Sequence, residues 1–185
     1  MDPNKRTIIL FLLFLSLGCV NKVAAAPPPA QATDTFPRPR IIPTPRRYVN
    51  DFEGLFTTGD QNRLETILRH YDTAQIVVVT LDSSMFEPAE LETFTLTLFN
   101  TWGIGDSVTN NGILVFISAS ARMMRIENGF GIEKLLTDEE TKQIIDSSFI
   151  PFFRQEKYYE GVLAGILEIK KQLAARVKQK VKVSF

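Results

Sequence analysis

The sequence predicts an α/β domain, a three-layer sandwich with a central mixed β-sheet and helices on both of its faces. Three observations predict it. Two β-branched runs, Gln75 to Leu81 and Gly112 to Ser118, are apolar at nearly every position, as in strands buried on both faces. Between them lies a segment with helical apolar spacing, long enough for the crossover that parallel strands need. The short turn Ala119 to Ala121 then leads into Met123 to Glu127, whose alternation should return antiparallel as a hairpin.

Taken in order, the domain starts near Tyr48, and Tyr48-Val49-Asn50-Asp51 reads as a loop. Thr58 is a cap residue, Asp60 an early acidic residue, and Leu64, Ile67, Leu68 and Tyr71 share a face, so a first helix is expected to about Tyr71. Pro88 opens a second helix to about Thr101, with Leu91, Phe94, Leu98 and Trp102 on one side. Thr137-Asp138-Glu139-Glu140 is a capping-box pattern, and the helix it starts should be interrupted or kinked at Pro151. From Tyr158 onward one long amphipathic helix carries Val162, Ile166, Ile169, Leu173 and Val177. Residues 48–175 are assigned to the domain and 176–185 to a basic C-terminal tail.

Composition narrows the function. The 185 residues include one Cys and one His, which excludes an intrachain disulfide framework, a Cys-rich zinc site and a His-pair metalloprotease motif. His70 falls in the last turn of the first helix, where an imidazole suits the carbonyl ends. The formal net charge is zero, but Tyr48 to Ile169 holds 19 acidic and eight basic side chains, a net of −11, while Lys170 to Phe185 holds six basic and no acidic ones. The acidic middle favours a cation, and the flanks an anionic partner. Nucleic acid is not an expected partner. Neither Gly103-x-Gly105 nor Gly129-x-Gly131 completes a dinucleotide fingerprint, and there is no phosphate-loop motif.

Lys5 and Arg6 precede the apolar run Ile8 to Leu17, too short for a spanning helix, so residues 1–25 read as an export signal and the chain is expected in the periplasm or cell envelope. Cleavage after Ala25 and lipidation of Cys19, with a lipoprotein signal ending at Gly18, both remain open. Residues 26–47, with seven prolines and four arginines, read as an extended solvated spacer.

If Gly112 to Ser118 and Met123 to Glu127 pair as a hairpin, Glu127 and Asn128 come beside Asn110 and Asn111, with Asp106 in the same loop. These hard oxygen donors suit Ca²⁺ or Mg²⁺. The same Asn-Gly and Gly-x-Gly clusters also serve as ordinary turn chemistry.

The ordered set Val49-Asn50-Asp51, Gln75 to Thr80, Trp102-Gly103-Ile104-Gly105, Asn111-Gly112, Arg125-Ile126-Glu127-x-Gly129-Phe130-Gly131, Leu136-Thr137-Asp138, Pro151-x-Phe153-Arg154 and Gly161 resembles the TPM phosphatase-like domain family over roughly Tyr48 to Leu173. That family has exported bacterial members and thylakoid-lumen relatives linked to photosystem II repair. The resemblance implies an α/β sandwich and divalent-cation binding, typically Ca²⁺, with weak acid phosphatase activity in some members. By motif match it carries over Asp51, Glu127 and Asp138, with Asn111 and Arg125 beside them. The sequence departs from the pattern at Asn110, where Asp is frequent, and at Lys134, where Gly is common.

The expected metal ligands are therefore Asp51, Asp106, Asn110, Asn111, Glu127 and Asp138. Three functional readings are consistent with them. The first is an exported domain binding Ca²⁺ or Mg²⁺ at one sheet edge. The second is a metal-assisted phosphatase with Asp51, Glu127 and Arg125 as catalytic candidates and Arg125 or Arg154 holding the anion. The third is a non-enzymatic module for envelope protein assembly or repair, with the basic tails as contacts. A monomer is expected, touching membrane only through a lipid on Cys19 or through the basic tail.

Overall fold

The computed structural model describes residues 42–183, with side chains to Gln179. The expected export signal, Cys19 and most of the expected spacer lie outside the described residues. Four strands form one sheet in the order β1 (Val49–Asp51), β2 (Gln75–Thr80), β3 (Gly112–Ser118), β4 (Met123–Asn128). The first three run parallel, and β4 returns antiparallel on β3 with Leu114 opposite Glu127 and Phe116 opposite Arg125.

Side-chain alternation divides the sheet into two apolar faces. Ile76, Val78, Ile113, Val115, Ile117, Met124 and Ile126 point to one, where Leu64 and Leu68 of α1 (Thr58–Arg69) and Val162, Ile166, Ile169 and Leu173 of the C-terminal helix close over them. Val77, Val79, Leu114 and Phe116 point to the other, under Leu91, Phe94 and Leu98 of α2 (Leu91–Trp102). Phe86, Phe94 and Phe116 pack there with ring centroids 5.2–6.1 Å apart. The expected layering is present.

Local differences have local causes. Val49 to Asp51 forms a strand where a loop was expected; three residues carry no readable alternation, and β1 exists because Val78 N–H donates to the Tyr48 carbonyl at 2.7 Å and the Glu65 carboxylate accepts from Val49 N–H at 2.7 Å. Thr57 rather than Thr58 caps α1, accepting from Asp60 N–H at 3.2 Å, and the helix stops at Arg69. His70 follows as its C-cap, with Nδ1 2.9 Å from the Thr66 carbonyl. Pro88 opens a 3₁₀ turn, Pro88–Glu90, that precedes α2.

A short helix α3 (Phe130–Glu133), not anticipated from the sequence, fills the turn after β4. The capping box holds at α4 (Asp138–Ile144), where Thr137 Oγ1 accepts from Glu140 N–H and Glu140 accepts from Thr137 N–H. Pro151 neither ends nor sharply breaks the helical path. It lacks the N–H to continue the ladder, and the turn before it widens into a π-helical stretch, Ile145–Phe149, that runs into α5 (Ile150–Phe153). The break comes later, at Glu156 with φ 59°, before α6 (Tyr158–Val183).

Because β1 to β3 are parallel, the domain has two chemically distinct ends. At the starting end lie the segment leading into β1, the α2–β3 loop, the end of β4 and the C-terminal half of α6. At the finishing end lie the loops that leave β1, β2 and β3.

Candidate functional site

The expected ligand set is divided between these ends. Asp51 ends β1 opposite Thr80, whereas Glu127 lies opposite Leu114 near the start of β3. Thr80 pairs with Ile117, so three residues of strand, roughly 10 Å, separate those levels, and β1 and β4 are the two edges of the sheet, three strand spacings or roughly 14 Å apart; Asp51 and Glu127 therefore cannot share one ion. This corrects the single-edge site drawn from the sequence.

Each of these residues has a defined local task. The Asp51 carboxylate accepts N–H bonds from Gly54 (3.1 Å), Leu55 (2.9 Å) and Phe56 (2.9 Å) and a bond from the Thr80 hydroxyl, which fixes the turn from β1 to α1. Asp106 Oδ1 accepts from Val108 and Thr109 N–H, both at 2.9 Å, and these bonds hold its carboxyl below the usual range. Asn111 Oδ1 accepts from Asp106 N–H at 3.0 Å and its amide donates to the Thr73 carbonyl. Asn110 bends the loop at φ 50°. Asp138 opens the first turn of α4.

The glycines of the same motifs serve close packing. A Cβ on Gly131 would sit 2.0 Å from the Thr109 carbonyl oxygen, and one on Gly129 would sit 2.4 Å from that of Asn110. The α2–β3 loop and the β4–α3 turn are thus pressed backbone to backbone, which no larger residue allows.

Arg125 and Glu127 face α2 from β4 and are 1% and 5% exposed. Arg125 Nε donates to Glu127 Oε1, which also accepts from Thr95 Oγ1 at 2.6 Å. Arg125 Nη2 lies 3.8 Å from Glu92 Oε1 and has no hydrogen bond. The pair neutralises itself inside the domain, so the geometry gives Arg125 the character of a core ion pair and not of an anion clamp. Arg154, the other cation considered for an anion, is the exposed C-cap of α5.

The finishing end gathers groups that sequence reasoning passed over. Glu53 reaches from the β1–α1 loop to the β3–β4 turn and accepts from Ala119 N–H (2.9 Å) and Ser120 N–H (2.7 Å). Asp82, just after β2, accepts from Ser84 N–H at 2.9 Å and bonds the Ser120 side chain; its bonds to Ser84 and Ser120 lower its pKa. Ser83 N–H donates to Ser120 Oγ at 2.8 Å. Ser120 therefore ties Glu53 and Asp82 together, with Ser118 Oγ 3.3 Å from its own. Open parallel sheets place their ligand crevices at these strand ends. The signal was available once two parallel strands had been read: the polar residues directly after each strand were the ones to mark.

The donor chemistry separates the two ends. Among the described residues, no three or more His, Cys, Asp or Glu side chains are grouped to hold a metal ion. The sequence-derived set does not fit a common ion, because Asp51 lies at the opposite end from Asp106 and Glu127, because Asp51, Asp106 and Asn111 are engaged with backbone groups, and because Glu127 is engaged with Arg125. Glu53 and Asp82 with the neighbouring hydroxyls fit a hard ion that keeps much of its water, since each carboxylate oxygen retains a second acceptor position. At the starting end a cavity of about 250 Å³ is lined by Arg46, Arg47, Tyr48, Gln75, Val77 and Trp102. The segment beside it is docked: Trp102 Nε1 donates to the Pro43 carbonyl at 2.8 Å, and Asn50 Oδ1 accepts from Arg46 N–H at 2.7 Å. The last residues of the expected solvated spacer, from Ile42, thus belong to the folded unit.

Comparison with known proteins agrees with this architecture. The N-terminal domain of a P. gingivalis protein superposes with a TM-score of 0.64 at 34% identity, covering 71% of this chain and 85% of that one. The BA42 protein of the psychrophilic bacterium Bizionia argentinensis shares the fold at 16% identity (TM-score 0.59, 68% and 86% covered). The N-terminal domain of a Corynebacterium glutamicum protein does so at 18% (TM-score 0.51, 70% and 79% covered). No curated protein matches significantly. The model of the TPM domain matches residues 49–172, which spans every strand and most of α6, and the chain belongs to the TPM-domain family.

Proposed function

We propose that this chain is an exported TPM domain of the periplasm or cell envelope that binds a hard divalent cation, Ca²⁺ or Mg²⁺, at the finishing end of its parallel strands. Glu53 and Asp82 hold the ion with the Ser84 and Ser120 hydroxyls nearby, while Asp51 shapes the loop that carries Glu53. The observation that carries this reading is the bridging of two carboxylates from different loops by one serine. Two carboxylates without a third favour an ion that keeps several waters and a dissociation constant on the order of 10⁻⁴–10⁻³ M. The acidic bulk of the domain supports it by raising the local cation concentration.

The test is calorimetric or NMR titration of the whole chain with CaCl₂ and MgCl₂. Binding is expected at millimolar ion, weakened at least fivefold by Asp82→Asn and by Glu53→Gln and unaltered by Asp106→Asn. Binding that survives both of the first two substitutions but not Asp106→Asn returns the ion to the starting end. No binding by the folded chain removes the reading altogether.

A further inference from the structure

We infer that the starting end of the domain docks on an anionic lipid surface, with the C-terminal overhang of α6 as the principal contact. Three independent features meet there. The first is how far α6 outruns the body: Leu173 is fully buried, Val177 is 38% exposed, and Lys178 and Gln179 are exposed. Arg176 pairs with Glu140 of α4, and the helix continues for seven more residues, about 10 Å at 1.5 Å each.

The second is charge. Beyond Glu168, α6 carries Lys170, Lys171, Arg176, Lys178, Lys180 and Lys182 and no acidic residue. Lys170 donates to the Ile67 carbonyl and lies over the Tyr71 ring, Lys171 pairs with Glu168, and Arg176 pairs with Glu140. Lys178, Lys180 and Lys182 come after those engaged residues in a helix that also holds Val177, Val181 and Val183, a mixture typical of helices lying at a lipid interface. The acidic domain as a whole would be repelled by an anionic leaflet. That repulsion decays over a Debye length of about 8 Å at physiological ionic strength, and the helix beyond Arg176 is about 10 Å long.

The third feature is the direction from which the preceding chain arrives. Ile42 to Tyr48 runs along the first half of β2, with Pro43 on Trp102 and Arg46 and Arg47 at the cavity rim. The described segment, with Arg46 and Arg47, thus enters the domain at the same end as the overhang. A surface at that end leaves the Glu53 and Asp82 crevice facing away.

The experiment is flotation of the full chain with vesicles of neutral phosphatidylcholine and with vesicles containing 30% phosphatidylglycerol. Residues 1–25 bring apolar affinity for either vesicle, so the readout is the ratio between the two. Each lysine near an anionic leaflet contributes roughly 1 kcal/mol, a factor of about five, so three of them, partly screened, predict at least tenfold preference at 50 mM NaCl that collapses at 500 mM. The K178E/K180E/K182E variant should bring the ratio to within twofold of one, and R46E/R47E should lower it less. Truncation after Val177 supplies a second variant that leaves the buried core intact, and circular dichroism verifies folding of both. Absence of a phosphatidylglycerol preference in the full chain, or its persistence in the folded triple variant, overturns the inference. So does salt-sensitive binding to polyglutamate without any vesicle preference, which would make the overhang a contact for acidic protein.

Discussion

Gly165→Ala tests whether the α6 face is packed as tightly as its two glycines imply. Gly165 is mid-helix, and a Cβ built there falls 2.0 Å from Cε2 and Cζ of the Phe149 ring and 2.5 Å from Cδ2. Carbon atoms in contact prefer about 3.5–4.0 Å, so the ring must retreat by well over 1 Å. It has little room: Phe149 is fully buried, with its centroid 5.9 Å from that of Phe153, whose own ring lies 2.6 Å from a Cβ on Gly161. Alanine gains about 1 kcal/mol over glycine in a helix interior, and overpacking a filled core costs about 1–3 kcal/mol or more. With a clash this deep against a blocked ring, the upper part of that range applies, and a net loss of about 1–2 kcal/mol is expected. Guanidinium unfolding of the full chain reads it as a lower midpoint at unchanged slope. Gly59→Ala is the internal control, since its Cβ meets only Thr57 Oγ1 at 3.7 Å and should be neutral or stabilising. Phe149→Leu in the Gly165→Ala background should recover part of the loss, giving a coupling energy above about 0.5 kcal/mol. A Gly165→Ala protein as stable as the parent would refute the packing argument.

The buried polar groups give further outcomes. Glu127→Gln or Arg125→Met alone should destabilise by about 3–5 kcal/mol, because each leaves a buried charge without its partner, whereas the combined Arg125→Met/Glu127→Leu variant should lose much less; thermal melts of the three proteins decide it. Thr137→Ala should cost about 1 kcal/mol through loss of the α4 cap, measured by the same unfolding titration. The Thr137 N–H bond, with help from Arg176, holds Glu140 below its ordinary carboxylate value. Its contribution is therefore complete above pH 4.5, the ordinary value for Glu, and fades as pH falls through the lower folded value. Glu140→Gln should remove that part of the acid sensitivity, and a stability profile between pH 6 and 3 that matches the parent would contradict it.

How much of this was legible beforehand varies with the range of the interaction. The βαβ unit, the hairpin and the capping box at Thr137 rest on periods and caps within a dozen residues, and each is found where expected. Strand β1 was missed because Val49 to Asp51 has no pattern of its own and is made a strand by Val78 and Glu65. Pro151 was expected to interrupt or kink its helix; a widened π-helical turn accommodates it, and the break comes at Glu156. Among the candidate ligands, Asp106, Asn110 and Asn111 were correctly grouped as neighbours. Glu127 lies close by in the chain's register, but its side chain points under α2 to Arg125, an orientation set by packing across the sheet.

By itself the sequence determined the three-layer class, the βαβ unit with its hairpin and the principal helices, the membership of the family and the separation of an acidic body from a basic tail, because all of these are written in local periodicity, ordered motifs and charge along the chain. Only the tertiary structure decided which carboxylates can meet. Parallel pairing sends Asp51 to one end of the sheet and Asp106 to the other. It also brings Glu53, Asp82 and Ser120 together from three loops that no spacing in the sequence connects.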